Sequence, residues 1–451
     1  MGSQCSTTKS VAEDSHGEVP KIITKDEPKG ASTSTQETKA PHIVVVGAGF
    51  GGLAVALGLR KELDEGLVTM TLIERSTTFA IKGCLQFVLD GRKTFDEITH
   101  NLEDAKVSDK VRKCFGWSVS SLDVDGKSLK MGKIGGNDAE ETVSFDYLVL
   151  ATGVVSDPTS IPGLADSMLN FCDDTHTMKI KEALDAVPEG GTVLVTTAAV
   201  PYKCPPVPFE YAFLADSMLR KRGIRDSVNV IITSPKAPFP FGGPVPKKVF
   251  LAACADRNIE FRAGIKPVKV RSDEKVVEFK HSEGEGEDQE VTFDALIGSY
   301  PQRAPDLLAD LCNPKGFVPV DLITMETKKP GVFCIGDSSW MMLKTEPPKP
   351  HPKSGAFAKI AGENVATMLG AIAHGDSLED ARAKVSKKRI ARCFAETGDG
   401  EGILIEPKLL DDEDGPMGFR SEGPTPEFGA AKVDWINEIE MHYFGKSNFH
   451  N

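Results

Sequence analysis

Residues 42–52 read His42-Ile-Val-Val-Val-Gly-Ala-Gly-Phe-Gly-Gly52, an apolar run that leads directly into a glycine-rich turn. The run predicts a buried strand over 42–46, and the residues after the turn predict a helix that ends near Leu63. A second apolar run, Val68–Ile73, predicts another strand, which ends at Glu74. A strand, a helix and a strand at this spacing are typical of the start of a doubly wound α/β domain.

Three glycines of the turn form the pattern G-x-G-x-x-G, and each has a physical task. Gly47 allows the tight turn, Gly49 lets the backbone approach a pyrophosphate, and Gly52 lets the helix pack against the strand. The amides at the helix N-terminus then hold the phosphate charge. Glu74 lies about 20 residues further on, where a carboxylate binds ribose hydroxyls. The stretch therefore predicts a dinucleotide-binding domain.

Two shorter motifs follow later predicted strands. One is Ala151, Thr152 and Gly153, and the other is Gly336 and Asp337. They resemble the remaining fingerprints of the FAD domain in flavoproteins that have two dinucleotide-binding domains. The resemblance implies that the dinucleotide is FAD and that the carboxylate of Asp337 binds its ribityl chain.

The segment Pro350-His-Pro-Lys-Ser-Gly355 precedes a helix predicted from about Ser354 to Leu369. A helix N-terminus directed at the pyrimidine edge of a flavin stabilises negative charge on the reduced ring. We expect Lys353 to add to that positive field.

Composition excludes several classes of protein. The chain has 451 residues, enough for two or three domains, and a net charge of −13, which argues against nucleic-acid binding because phosphate contacts need a basic face. No apolar run is long enough to span a bilayer. The nine cysteines form no C-x-x-C pair, so neither a structural disulfide framework nor a zinc site is indicated.

Residues 1–40 contain no aromatic residue and predict a disordered tail. The first six residues, Met-Gly-Ser-Gln-Cys-Ser, fit the N-myristoylation pattern on Gly2, and Cys5 is a candidate for palmitoylation. Two acyl chains would hold the protein on a membrane, whereas one chain holds it weakly. The alternative is an unmodified tail. Without a secretory signal, the sequence predicts a cytoplasmic protein or one on the cytoplasmic face of a membrane.

The predicted fold class is α/β, with two Rossmann-like doubly wound domains and a C-terminal α+β region. The FAD-binding domain is expected in two parts, residues 41–160 and 295–370. A second Rossmann-like domain is expected at 161–294, and the C-terminal domain at 371–451.

Cys204 lies in Pro201-Tyr-Lys-Cys-Pro-Pro-Val-Pro-Phe-Glu210, after the predicted strand Thr192–Thr197 and before a helix from Phe209. A flavoprotein that uses NAD(P)H carries a second glycine-rich loop at this place, and this chain has prolines and a cysteine instead. Helix N-terminal amides lower a thiol pKa, so the position favours a thiolate. The alternative is a thiol that only packs.

The segment Pro201–Glu210 resembles the redox-cysteine segment in the flavoprotein subunit of flavocytochrome c sulfide dehydrogenase, a family related to the sulfide:quinone oxidoreductases. The resemblance extends over about 41–451 and includes Tyr300–Ala304, Gly316–Asp321 and Val433–Trp435. It implies a second redox cysteine in a helical segment after the FAD domain, and Cys393 stands at the matching position. A Cys204–Cys393 disulfide beside the flavin is therefore implied.

The family also attaches FAD covalently through a cysteine after the second strand. Cys84 lies in the corresponding region, about two residues out of alignment, and is expected to neighbour the flavin. The remaining cysteines are expected only to pack: Cys114, Cys172, Cys254, Cys312 and Cys334.

The resemblance implies a reaction. Hydrosulfide attacks the Cys204–Cys393 disulfide, and the electrons pass through FAD to a quinone or to a separate cytochrome c. Glu210 and His351 are candidate proton carriers, with purely structural roles as the alternative. An apolar quinone site is expected from Phe239–Phe241, from Trp340–Leu343 or from the aromatic C-terminus.

Two other functions remain open from the sequence. One is an NAD(P)H:quinone oxidoreductase similar to apoptosis-inducing factor, which requires a nucleotide loop near residues 195–205. The other is an FAD-binding interaction protein without catalytic activity.

Overall fold

The strand His42–Val46 occupies the middle of a five-stranded parallel sheet, here called the first sheet. The computed structural model describes residues 39–136, 139–239, 243–283, 286–410 and 417–447. The predicted tail, including Gly2 and Cys5, therefore lies outside the described residues. In spatial order, the strands of the first sheet are Val332–Cys334, Tyr147–Leu150, His42–Val46, Thr69–Glu74 and Arg112–Phe115.

The central strand is buried on both faces. Val44 and Val45 are fully buried and belong to different hydrophobic clusters on the two sides of the sheet. A continuous run of β-branched residues suits such a strand, because helices cover both faces of a parallel sheet. The edge strand Val332–Cys334 comes from a segment far later in the chain than its neighbour Tyr147–Leu150. Because the strands are parallel, the carboxyl ends of Val332–Cys334 and His42–Val46 lie on the same side of the sheet.

A second parallel sheet has five further strands. In spatial order they are Leu169–Asn170, Ala295–Ser299, Thr192–Thr197, Asn229–Ser234 and Ile259–Ala263. The prediction of two Rossmann-like sheets is confirmed.

Antiparallel sheets are attached to both parallel ones. In the second, Val276–His281 pairs with Gln289–Thr292 as a hairpin, and Ile265–Arg271 pairs on the other side of Val276–His281. The first sheet carries Trp117–Asp123, Ser128–Lys133 and Glu141–Ser144. Shorter antiparallel pairs are Thr78–Ala80 with Thr99–Asn101, Val155–Ser156 with Gln302–Arg303, and Met342–Leu343 with Lys349–Pro350. Val318–Pro319 pairs in parallel with Ser339–Trp340.

The α-helices cover the sheets and link the domains. Their bounds are Phe50–Gly58, Arg60–Glu65, Leu85–Leu89, Leu164–Ser167, Thr177–Asp185, Val207–Lys221, Pro244–Asp256, Gly355–Ala373, Leu378–Ala383 and Pro426–Phe444. Short 3₁₀ turns occupy Lys82–Cys84, Asp96–Ile98, Leu102–Asp104, Asp174–His176, Arg225–Ser227, Asp306–Leu311 and Gly336–Ser338. No helix within the described ranges is long and apolar enough to cross a membrane.

The C-terminal region contains an antiparallel sheet and a long helix. Gly402–Leu410 pairs on one side with Arg389–Ile390 and Cys393–Glu396, and on the other with Gly418–Thr425. The expectation that Cys393 lies in a helical segment is wrong. Cys393 begins a strand because Cys393–Glu396 pairs along its length with the largely buried strand Gly402–Leu410.

The first predicted helix is also divided. It ends at Gly58, and a second short helix runs over Arg60–Glu65. A Cβ at Gly58 would lie 2.6 Å from the side chain of Ala366, so the glycine allows close packing against the helix Gly355–Ala373.

Candidate functional site

The glycine-rich turn combines close packing with open space. Gly47 has a φ of +108°, and a Cβ on Gly52 would lie 1.8 Å from the carbonyl oxygen of Gly47. Neither position tolerates a side chain without movement of the backbone. At Gly49, in contrast, an added Cβ meets no atom within 4 Å. The space above Gly49 is part of a large cavity, where a pyrophosphate can approach the amides of the helix that begins at Phe50.

Glu74 is fixed beside this turn by two backbone amides. Its carboxylate accepts hydrogen bonds from the amide of Ala48 at 2.8 Å and from that of Ser76 at 3.0 Å. Each oxygen has more than one lone pair, and Glu74 lines the cavity, so it can still accept from ribose hydroxyls.

The two other predicted motifs reach the same cavity. Ala151, Thr152 and Gly153 line it, and so do Gly336 and Asp337. They do so because both follow strands of the first sheet, whose carboxyl ends share an edge.

The cavity has a volume of about 540 Å³. Its walls also come from the second sheet and from the C-terminal region, including Cys172, Lys203, Cys204, Pro205, Glu210, Phe239, Cys393, Phe394, Phe419, Lys432 and Trp435. The space for the dinucleotide and the space beside the thiols are therefore continuous. Residues Trp340–Leu343, predicted as one possible quinone site, are not among the lining residues, whereas Phe239 and Trp435 are.

The loop that carries Cys204 is joined to the segment before the helix Gly355–Ala373. The amide of Cys204 donates to the carbonyl oxygen of Lys353 at 2.8 Å, and Lys203 and Lys353 form a parallel bridge. Cys204 has a φ of +56°, a left-handed conformation that costs a non-glycine residue about 1–3 kcal/mol. The following prolines cannot donate hydrogen bonds, and the helix starts at Val207.

The two predicted redox cysteines line the same cavity. Both are partly exposed, and both are free thiols in the structure. Their pairing in a disulfide remains a prediction.

Burial, rather than the nearby helix terminus, determines the direction in which the pKa of the Cys204 thiol is shifted. Desolvation raises its pKa well above the ordinary value, and the negative charge of Glu210 adds to the effect. The expectation of a lowered pKa is therefore wrong. The physical reason is that the sulfur lies before the first helical turn, in a largely apolar wall beside a carboxylate, where the loss of hydration outweighs the partial positive charge of the helix end.

Cys393 lies in a similar environment. Burial and the carboxylate of Glu210 raise its pKa to about 12, and the ammonium of Lys432 partly opposes this. When both cysteines are reduced, their surroundings therefore favour the neutral thiol over the thiolate near neutral pH.

A buried polar network lies between the elements that carry the two thiols. Oε1 of Glu210 accepts from Nζ of Lys432 and from the amide of Glu396, both at 2.8 Å. Oε2 of Glu210 accepts from the side-chain amide of Gln86 at 3.1 Å. Glu210 therefore binds the ammonium of Lys432 and also links the backbone of Glu396 to the side chain of Gln86. Lys432 and Gln86 were not anticipated; the only sequence signal for Lys432 is its position directly before Val433–Trp435.

Lys353 does not line the cavity. Its ammonium donates to the backbone carbonyls of Asp337 at 2.6 Å and Ser339 at 2.8 Å, and it lies 4.2 Å from the centre of the Phe317 ring. Burial lowers its pKa to about 8. The sequence predicts that Lys353 adds positive charge beside the flavin. In the structure its side chain instead anchors the turn that bears Asp337.

His351 is likewise turned into the protein. Its Nδ1 contacts the carbonyl oxygen of Pro352 at 2.8 Å, and burial lowers its pKa to about 3. An imidazole that stays neutral in this position is a poor proton carrier.

Cys84 and Cys172 both differ from expectation in whether they line the cavity. Cys84 has no exposed surface, packs in the core of the first sheet and is not among the cavity-lining residues, and burial raises its pKa strongly. Its neighbours Lys82 and Gly83 line the cavity. Cys172, which was expected only to pack, does line it. Its position follows from the strand Leu169–Asn170, which ends at the cavity edge.

The second sheet offers little space for a nucleotide. Its crevice at the carboxyl ends of Thr192–Thr197 and Asn229–Ser234 is where a dinucleotide binds in this type of fold. Among the described residues the crevice retains a cavity of about 10 Å³, lined by Tyr202, Phe209, Phe261 and their neighbours.

Sequence comparison gives the family of the chain. Residues 41–358 match the pyridine nucleotide-disulphide oxidoreductase family. The chain belongs to that family. Within that family it resembles the sulfide:quinone oxidoreductases.

Relatives within the family differ in their electron donors. The chain is 25% identical over 313 residues to the mitochondrial sulfide:quinone oxidoreductase of Mus musculus. The match covers 66% of this chain and 65% of the mouse protein, so the chain spans less than two thirds of the length of that relative. It is 24% identical over 387 residues to the sulfide-quinone reductase of Aquifex aeolicus, covering 82% and 84%. It is also 24% identical over 353 residues to the alternative NAD(P)H-ubiquinone oxidoreductase C1 of Arabidopsis thaliana, covering 70% and 65%.

Structural comparison supports the same fold. The crystal structure of the Aquifex aeolicus sulfide:quinone oxidoreductase superimposes with a TM-score of 0.73 at 20% sequence identity, covering 90% of this chain and 93% of that one.

The residues present in this chain fit the family's FAD. The hydroxyl of Thr152 is buried at the cavity and has no hydrogen-bond partner among the described residues, as expected for an atom that contacts a ligand. The open space at Gly49 suits the pyrophosphate, and Glu74 suits the ribose.

Proposed function

We propose that this protein oxidises sulfide through Cys204 and Cys393 and passes the electrons by way of FAD to a quinone. One observation carries the proposal: two cysteines that are nearly 190 positions apart line one cavity with the residues of all three FAD motifs. FAD, when bound, supplies a two-electron acceptor for the reduced thiols and a donor for the quinone.

The residues of the chain would act as follows. Cys204 and Cys393 form a disulfide in the resting enzyme, and hydrosulfide attacks one of its sulfurs. One cysteine then carries a persulfide and the other is released as a thiolate. The hydrogen bond from Cys204 to Lys353 holds the reacting loop at the start of the helix Gly355–Ala373.

The acceptor site is supported by the apolar part of the cavity wall. Phe394, Phe419 and Trp435 come from the C-terminal region and line the cavity. An aromatic wall suits the ring of a quinone. A separate cytochrome c is the competing acceptor. Attachment to a membrane through Gly2 and Cys5 belongs to the same proposal and would bring the enzyme to its quinone.

The competing donor is NAD(P)H, and the Arabidopsis relative favours it. The small crevice of the second sheet opposes it, because a nicotinamide dinucleotide needs a pocket of several hundred Å³. The residues after Thr192–Thr197 include no glycine until well beyond Cys204. A phosphate therefore cannot approach the backbone as it can at Gly49.

Anaerobic titration of the FAD-loaded protein with sulfide and, separately, with NADH tests the proposal. We expect sulfide to bleach the flavin absorbance and NADH to leave it unchanged over the same time. Bleaching by NADH alone would favour the competing oxidoreductase, and a flavin inert to both would favour a non-catalytic protein. Addition of decylubiquinone or of cytochrome c to the sulfide-reduced enzyme identifies the acceptor.

A further inference from the structure

One buried cation in the cavity wall has no task in the steps above. Lys432 is 1% exposed and lies on the helix Pro426–Phe444. Its ammonium donates to Glu210, the one hydrogen bond that it makes among the described residues, and stands 5.2 Å from the centre of the Phe87 ring. An ammonium has three N–H donors. Burial by itself lowers its pKa, but the carboxylates of Glu210 and Glu396 outweigh burial and raise the pKa, so the cation persists.

Glu210 connects this cation to both cysteine-bearing elements. It lies in the first turn of the helix that follows Cys204, and its Oε1 also accepts from the amide of Glu396, in the strand that begins at Cys393. The ion pair is therefore held between the helix after one thiol and the strand of the other. Glu210 is 3% exposed, so water screens these charges weakly.

Opening a disulfide in this cavity creates a charge that must be compensated. Hydrosulfide forms a bond to one cysteine sulfur, the Cys204–Cys393 bond breaks, and its electron pair stays on the leaving sulfur as a thiolate. The hydrosulfide proton stays on the terminal sulfur of the persulfide, so the single negative charge moves from the substrate to the protein. Burial opposes an anion at either cysteine, and Lys432 favours it at both.

We propose that Lys432 is the counter-cation of the thiolate that is released when the Cys204–Cys393 disulfide opens, and that Glu210 is the positioning residue that holds it and moderates its charge. The inference rests on the proposed function and deepens it. It predicts opposite effects for the two members of one ion pair: loss of Lys432 disfavours the thiolate, whereas loss of the Glu210 charge favours it. A purely structural ion pair would give both losses the same sign.

The alkylation rate of the two cysteines tests this without sulfide or quinone. The Cys204–Cys393 bond is first quantified in the FAD-loaded protein by peptide mass spectrometry. The protein is then reduced anaerobically with a phosphine, and the iodoacetamide rate at each cysteine is measured from pH 7 to pH 10. Below the pKa of a thiol this rate is proportional to the thiolate fraction. In Lys432→Met we expect a rate at least about tenfold lower, equivalent to one unit of pKa. In Glu210→Gln we expect a higher rate. The amide of Gln86, whose Oε1 has no partner among the described residues, can rotate to accept from the new side chain.

The double variant Glu210→Gln, Lys432→Met is the matched control, because it leaves no buried charge unpaired at this ion pair. Its alkylation rate should return toward that of the wild type. If Lys432→Met does not fold, the step from Glu210→Gln to the double variant measures the same effect and should again lower the rate. Changes of the same sign in both single variants, or no change, overturn the role of Lys432 while leaving the proposed function intact. Absence of any Cys204–Cys393 disulfide in the wild type overturns both.

Discussion

The backbone amide of Cys204 donates a hydrogen bond of 2.8 Å to the carbonyl oxygen of Lys353. This contact joins the loop that replaces a nucleotide-binding turn in the second sheet to the residue before Ser354, the N-cap of the helix Gly355–Ala373. Both segments border the cavity that the FAD motifs share. The contact explains how a thiol on the second sheet reaches a cofactor bound by the first.

The glycines of the first turn should respond differently to substitution. In Gly52→Ala the Cβ would lie 1.8 Å from the oxygen of Gly47, so we expect a loss of about 2 kcal/mol or more in the free energy of unfolding together with loss of FAD. In Gly49→Val the side chain would enter open space, so the FAD-free protein should keep its stability within about 0.5 kcal/mol and bind FAD at least tenfold more weakly. Urea unfolding and flavin titration measure both. Equal losses of stability in the two variants would contradict this account.

The alkylation rate of Cys393 should keep rising with pH beyond the range in which an ordinary thiol is already ionised. Only the thiolate is alkylated, and burial, helped by Glu210, raises the pKa of Cys393 to about 12. In the reduced protein we expect the iodoacetamide rate at Cys393 to rise about tenfold per pH unit from pH 7 to pH 10 without a plateau. Peptide mass spectrometry gives the rate for each cysteine, and the urea-unfolded protein, with a plateau above about pH 9, is the control. A plateau below pH 8 in the folded protein would show that the cavity does not suppress the thiolate.

Lys353 should link stability to pH. Burial lowers its pKa to about 8 in the folded protein, below the unfolded value of about 10.4. Between these values the unfolded chain binds more protons than the folded one, so the contribution of this group to stability increases as the pH rises through that window. We expect Lys353→Met to remove on the order of 1–3 kcal/mol of this pH-dependent difference and to weaken FAD binding, because the carbonyls of Asp337 and Ser339 lose their donor.

Urea unfolding of Lys353→Met and wild type at pH 7.5 and pH 10 isolates the contribution. The surface variant Lys328→Met is a suitable control, because Lys328 is exposed. Identical pH dependence in wild type and Lys353→Met would contradict the buried position of this ammonium.

Local features of the fold were predictable from the sequence. The turn at Gly47–Gly52 and the strand Thr192–Thr197 are specified by neighbouring residues, so the structure places them where the pattern predicts. Helix ends that depend on packing differ from the prediction. The first helix ends at Gly58 instead of near Leu63, at the point where the helix Gly355–Ala373 packs closely against it.

The site was predictable only in part. Cys204 and Cys393 were located by resemblance, but Lys432 lies 222 positions from Glu210, and no periodicity indicates such a pair. The thiol pKa was predicted with the wrong sign, because a helix terminus is visible in the sequence and the surrounding burial is not. Cys172 was expected only to pack, because its place at the cavity depends on the edge of the second sheet, which the sequence does not reveal.

The most direct measurement of the central claim is the anaerobic absorbance of the bound flavin during titration with sulfide. It is compared in wild type, Cys204→Ser, Cys393→Ser and, as a matched control, Cys312→Ser, each loaded with FAD to the same extent. We expect stoichiometric bleaching in the wild type and in Cys312→Ser, and a rate at least about 100-fold lower in the other two variants, because neither can form or open the disulfide. Bleaching at the wild-type rate in Cys204→Ser or Cys393→Ser, or none in the wild type, would contradict the claim.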